Sequence, residues 1–355
     1  MRRPLRLLLI RDRRPGHHHQ VEGVAAAIAR LAPVVVDRIE LRSRRFARSK
    51  ARDLAFKAFA DDHGRLLNLL FAIRVESLAR PDAIVGSGRA SFIASSLLAR
   101  WSGAKFIYSG YLEDYETRHF DLMLVQSPRF AGEPKCVLTP IPCVIDPDQL
   151  PFPRPLRSIA DLAGAEFSLL LGGKAKGYGY SDLDWQALAE LTVSTGMAYG
   201  IRWSVSDSRR TPLMATRLFS RLAEAGNIAR FVEFCVSGPG SANALFAADA
   251  IVVTEDSRSM MAEAVAARRP VIAVRPEAVA FSLATEETAT MACWGGIAVL
   301  PIRTLTPDQF VRSLLSIKIP GRDPRELIAE AIAPVLGLAP EPSRSLAVAD
   351  ASGPA

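Results

Sequence analysis

The sequence lacks any apolar run that approaches the roughly 20 residues needed to span a bilayer. This removes a transmembrane helix from the expectations. The N-terminus pairs a basic start with a short apolar run, Leu5 to Ile10, in the manner of a secretory signal. Arg11, Asp12, Arg13 and Arg14 then stand where a cleavage site belongs, so a buried first strand is the better reading. Cysteine is scarce: Cys136, Cys143, Cys235 and Cys293 are scattered, without CxxC pairing or metal-ligand spacing. Free thiols in a reducing cytoplasmic setting follow, and no metal site is expected. There is no solenoid-length repeat, no Walker GxxxxGK[ST] loop and no GxGxxG fingerprint.

What is present is the balance of a folded chain, with 49 % hydrophobic and 23 % charged residues over 355 positions. That length exceeds what one core usually supports, so two domains are expected. The net charge of +7 is concentrated between Arg38 and Lys57, where Arg42, Arg44, Arg45, Arg48, Lys50 and Arg52 face only Glu40 and Asp53. Phe46, Leu54, Phe56 and Phe59 lie within this run or just after it. One reading is a solvated helix face; the other is a patch resting on anionic lipid at the inner face of the membrane. No recognised nucleic-acid motif accompanies the charge, so nucleic acid is not an expected partner.

Short aliphatic runs alternate with helical patterns. Leu5–Ile10, Val34–Ile39, Ala83–Val85, Lys105–Tyr108 and Leu122–Val125 read as strands in the first half. Phe167–Leu171, Ala198–Val205, Phe231–Val236, Ala250–Thr254, Val271–Val274 and Ile297–Leu300 read as strands in the second. Near-continuous apolar character marks strands buried on both faces, hence parallel sheets covered by helices. The fold class is α/β: two tandem Rossmann-like domains facing a cleft. Prolines at 140, 142, 147, 151, 153 and 155 place a linker between them. The expected division is 1–145 for the first domain, 146–160 for the linker and 161–322 for the second. A helix follows over 323–337, and 338–355 is a disordered tail.

Five segments carry chemistry. The run Ala250 to Glu263 is a buried strand ending at Thr254. It passes through Glu255 and Asp256 to a helix near Ser259, with Ser257 as its N-cap. Helix starts at the carboxyl ends of parallel strands suit phosphate, so a diphosphate could dock there. Equally, Glu255 and Asp256 could simply complete the cap. In Ser208-Arg209-Arg210-Thr211-Pro212, two arginines at a strand-to-helix turn, with Thr211 as N-cap, offer forked donors to phosphate. One of them could instead bind Glu255 or Asp256. Gly172-Gly173-Lys174 ends another strand and permits close approach of a ligand. In the first half, Asp12 to Gln20 includes Gly16 and three histidines, with His17 a candidate general base and Asp12 behind it. Ser87-Gly88-Arg89 is a second glycine turn, suited to an acceptor or to an ordinary tight turn.

Together these segments resemble a family named for a plant mitochondrial fission factor of the ELM type, whose bacterial members are called glycosyltransferases of GT-B fold. The resemblance runs in order through Arg14, Gly16, His17 and Gln20, Ser87-Gly88-Arg89, Phe120-Asp121-Leu122, Gly172-Gly173, Ser208 to Pro212, and Val253 to Ser257 with Met260 and Glu263. It implies an acceptor bound by the first domain and a nucleotide-sugar donor, rather than a separate cofactor, bound by the second. The helix from Met260 also resembles the donor helix of GT-B enzymes acting on undecaprenyl-linked muropeptide, which implies that Glu263 holds the nucleotide ribose. The family turn reads Gly-His-Glu-Asn-Gln, and this chain departs from it at His18 and His19. The expectation is a metal-independent glycosyltransferase with an envelope or other intracellular acceptor. An epimerase of the same fold, or a non-catalytic adaptor binding membrane or protein, are the alternatives. Loss of nucleotide stabilisation on Arg210→Ala and on Glu263→Ala, each in a chain that stays folded, is expected too.

Overall fold

A computed structural model describes residues 3–42, 49–59, 62–238 and 240–338. Arg44, Arg45, Phe46 and Arg48 of the basic run, and all but the first residue of the expected tail, lie outside the described residues.

The first half builds one parallel sheet from β1 (Leu5–Arg11), β2 (Val34–Glu40), β3 (Ala83–Ser87), β4 (Lys105–Ser109), β5 (Leu122–Val125) and β6 (Cys136–Leu138). Their order is β2-β1-β3-β4-β5-β6. Helix α1 (Pro15–Ala29) covers one face. Helices α2 (Ser49–Phe59), α3 (His63–Phe71) and α4 (Arg89–Ser102) cover the other. Every residue of β3 is buried, as continuous apolar strands require when helices lie on both sides.

The second half repeats the plan. Its large sheet comprises β7 (Glu166–Leu170), β9 (Arg202–Ser206), β10 (Arg230–Val232), β11 (Ala250–Thr254), β12 (Val271–Arg275) and β14 (Ile297–Pro301), ordered β10-β9-β7-β11-β12-β14. The short strands β8 (Tyr178–Gly179) and β13 (Ala278–Val279) pair antiparallel beside it. Helices α5 (Asp182–Tyr199), α6 (Leu213–Glu224) and α10 (Pro307–Ser316) pack on one face. Helices α8 (Arg258–Ala266) and α9 (Leu283–Trp294) pack on the other. A short helix, α7 (Phe234–Ser237), follows β10.

Two strand expectations need correction. Residues 198 and 199 end α5, because Gly200 adopts a left-handed cap at φ 69° and only then does the chain extend into β9. Phe231–Val236 divides into β10 and α7, since the chain leaves the sheet edge at Glu233. The expected C-terminal helix is α11 (Pro324–Ile332), and it packs against α1 and the first sheet. Ile328 and Ile332 are fully buried there, worth about 1.5–3 kcal/mol each. Arg325 ties this return to the Pro-rich crossing through Asp146, at 2.8 Å.

Candidate functional site

Strand order reverses between β1 and β3 in the first sheet and between β7 and β11 in the second. Neighbouring loops at such a reversal leave in opposite directions and open a crevice at the carboxyl ends of the strands. Four of the five sequence motifs follow these four strands; the fifth, Ser208 to Pro212, follows β9 and is bonded to the loop after β7 through Thr211.

On the first sheet, Asp12 is buried at the end of β1 and accepts bonds from His17 Nδ1 at 2.7 Å and from the Arg14 backbone N–H at 2.8 Å. Burial works against its charge, but these bonds prevail and hold the carboxyl below its ordinary range. The bond directs His17 so that Nε2 is left for other partners. The ring lies on Gly88, where an added Cβ would stand 2.1 Å from it and the backbone φ is +77°. Only glycine meets both demands. Gln20 Oε1 accepts from Ser87 Oγ at 2.5 Å and Ser109 Oγ at 3.2 Å, which joins α1 to the ends of β3 and β4. Arg89 pairs with Asp114 and lies 3.5 Å from Asp53. A cavity of about 210 Å³ is lined by Asp12, Arg14, His17, Arg52, Asp53 and Arg89. Arg52 and Asp53 came to notice only as members of the basic run; α2 brings them here.

The second sheet is organised around its acids. Glu255 is fully enclosed and receives a two-point bond from Arg275, at 2.5 and 2.7 Å. Nothing in the spacing announced that partner. Asp256 receives the Gly173 N–H and Arg210 Nη1, each at 2.9 Å. Burial lifts its carboxyl above the ordinary range in spite of Arg210, and its Oδ1 is buried without a partner. Thr254 Oγ1 takes the Gly172 N–H at 2.6 Å. The glycine turn therefore spends both N–H groups on protein. Gly173 has φ +142°, and an added Cβ would meet the Arg210 carbonyl at 2.4 Å. Thr211 is bonded through Oγ1 to the Leu171 and Gly172 carbonyls and to the Ser208 N–H, so it fastens two loops together. The N-cap of α6 is Pro212, a correction to the expected Thr211. Of the cations foreseen for phosphate, Arg210 is engaged by Asp256, while Arg209 and Lys174 are exposed.

The two halves meet at helix starts. Gly16 lies against Ser259, since a Cβ there would stand 3.7 Å from Ser259 Oγ. His19 Nδ1 bonds the buried carboxylate of Glu263, and Ser127 Oγ bonds Glu286. Three helices of nine residues or more begin here: α1 at Arg14, α4 at Gly88 and α8 at Ser257. None has a side-chain cap or an acid in its first turn. Ser257 occupies the foreseen N-cap position, but its hydroxyl makes no cap bond. Their unpaired N–H groups and dipole ends converge on one region, which favours an anion. Among the described residues no group of three His, Cys, Asp or Glu side chains is placed to hold a metal, and no helix is long and apolar enough to cross a membrane.

A family model described as mitochondrial fission ELM1 matches residues 15–282, well over half of the chain. No curated protein matches the sequence. Among solved structures, the UDP-GlcNAc 2-epimerase of Methanocaldococcus jannaschii is similar at TM-score 0.56 and 13 % identity, covering 94 % of this chain and 99 % of that one. Its complex with UDP-GlcNAc and UDP aligns at TM-score 0.50 and 13 % identity, over 94 % and 99 % of the two chains. The ADP-heptose LPS heptosyltransferase II of E. coli aligns at TM-score 0.50 and 13 % identity, over 88 % and 98 %. These likenesses establish the fold, two Rossmann-like halves of GT-B type.

Proposed function

We propose that this chain, which belongs to the mitochondrial fission ELM1 family, transfers a sugar from a nucleoside-diphosphate donor to an envelope or other intracellular acceptor. The observation that carries the reading is the meeting of three uncapped helix starts beside the Asp12–His17 pair. The diphosphate lies on the start of α8, with Arg209 and Lys174 at hand, and the acceptor enters the cavity around His17. Asp12 holds Nδ1 as the N–H, so Nε2 accepts the acceptor's hydroxyl proton. The acceptor oxygen forms its bond to the anomeric carbon as the bond from that carbon to the diphosphate breaks. The charge released on the diphosphate meets helix N–H groups and cations, which calls on no metal.

Incubation with a panel of nucleotide sugars, followed by thermal shift and free nucleotide, tests this. Stabilisation with diphosphate release is expected. Isomerised sugar without release assigns an epimerase instead, and no response at all leaves a non-catalytic adaptor. His17→Gln is expected to lower turnover by roughly 10²–10⁴-fold while nucleotide stabilisation persists.

The reading extends to a lipid surface beside the cavity. Leu54 and Leu69 are 70 % and 53 % exposed on α2 and α3, next to the basic run. Arg38 already spends its charge on Glu22, through bonds of 2.7 and 2.8 Å. Sedimentation with anionic vesicles that weakens with salt is expected; salt-independent sedimentation, or none, rejects electrostatic docking.

A further inference from the structure

We propose that His19 and Glu263 form a latch between the two halves, closed while His19 carries a proton and released as the proton leaves. The residues sit on the first helix after β1 and the helix after β11, 244 positions apart, and join Nδ1 to Oε1. The Glu263 side chain is 7 % exposed and that of His19 is 37 % exposed, so His19 exchanges protons with water without unfolding.

The charges around the pair are few. Glu263 faces His19 from α8, Arg11 from β1, and Glu22 from α1 itself. Arg11 opposes an imidazolium, yet it is bonded to Glu22, which removes most of its effect. Cys143 faces Glu263 from the Pro-rich crossing; burial pushes its thiol up to about 12, so it stays neutral throughout. The balance lies with the hydrogen bond to Glu263, which outweighs burial and holds His19 above the ordinary histidine range. Ser127 to Glu286, another side-chain bond between the halves, joins a hydroxyl to a carboxylate. Deprotonation leaves an N–H to carboxylate bond but removes the attraction between imidazolium and carboxylate, so the latch loses strength as the proton leaves. The sign follows from the upward displacement. The stabilisation is complete below pH ~6.5 and is lost as pH rises through the higher value of the paired histidine.

The latch is a property of the apo chain and stands or falls separately from the transfer reading. Small-angle scattering of the full chain between pH 5.5 and 8.5 tests it. The radius of gyration is expected to rise with pH in the wild type, with a midpoint above ~6.5. In His19→Asn, which keeps a donor but does not titrate, the curve is expected to be flat over the same range. Glu263→Gln supplies the same comparison from the other side should His19→Asn fold poorly. A wild type that does not change, or a variant that rises with it, overturns the latch.

Discussion

The helices of this chain start in two different ways, and the difference separates scaffold from site. At α5, α9 and α10 the N-cap residues Ser181, Ser282 and Thr306 form capping boxes, and at α11 Asp323 accepts the Arg325 N–H. Each such cap stabilises by about 1 kcal/mol. At α1, α4 and α8 that contribution is forgone, and these three starts adjoin one another through His17 on Gly88 and Gly16 on Ser259. Lack of a cap alone marks nothing, since α3 and α6 also lack one. Convergence at the sheets' reversal points is what distinguishes the three. Open N–H groups where the starts of α1, α4 and α8 meet suit an anion that supplies the missing acceptors.

The largest effect should come from Arg210, which is bonded to the buried Asp256. Arg210→Ala strands the Asp256 carboxylate with the Gly173 N–H and Thr254, and breaking a buried pair costs about 3–5 kcal/mol. The chain should therefore be destabilised before any ligand is added, contrary to what Arg210 suggests when read as a phosphate contact alone. Asp256 already stands above the ordinary carboxylate range, so the deficit should shrink as pH falls and Asp256 takes a proton. Urea midpoints for both chains from pH 4 to 8 check this. A gap that does not widen with pH would remove Asp256 as the cause.

A smaller effect tests the open helix start directly. Ser257→Asp places an acceptor and a negative charge at the N-cap of α8. It should stabilise the apo fold by about 0.5–1 kcal/mol. The same charge should weaken UDP binding by roughly tenfold. Unfolding and titration calorimetry on one preparation give both numbers. A variant that gains stability and keeps its affinity would detach α8 from the diphosphate.

Much of the fold was legible because strands such as Ala250–Thr254 are buried along their whole length and so read as unbroken apolar runs. Edge elements were not. The short β6 has an exposed Val137 and no continuous run, and the pairing of β8 with β13 joins residues 99 and 101 positions apart. Asp12 and His17 were readable together because five positions bring them to one helix start. Long-range partners left no local trace. Arg275 on Glu255 and His19 on Glu263 depend on how loops from different strands, or different halves, face one another. Whether Arg210 served phosphate or carboxylate was open in the sequence for the same reason, and Asp256 claims it in the structure.

The finest test of the two kinds of helix start compares two serines in the same N-cap position. Ser181 Oγ accepts the Asp184 N–H at 3.3 Å while Asp184 Oδ2 accepts the Ser181 N–H at 2.7 Å. Ser181→Ala leaves one donor of α5 without its partner and should cost about 1 kcal/mol. Ser257 makes no such bond, so Ser257→Ala should change stability by less than about 0.5 kcal/mol. Ligand should reverse the ranking. Ser181 Oγ is taken up by the cap with Asp184, so Ser181→Ala should leave UDP stabilisation intact. A hydroxyl at the open start of α8 has no protein acceptor to satisfy and is placed to donate to a phosphate oxygen. Equal costs in the apo chain would mean that Ser257 caps α8 in solution, and the contrast between scaffold and site would lose its smallest and most sensitive term.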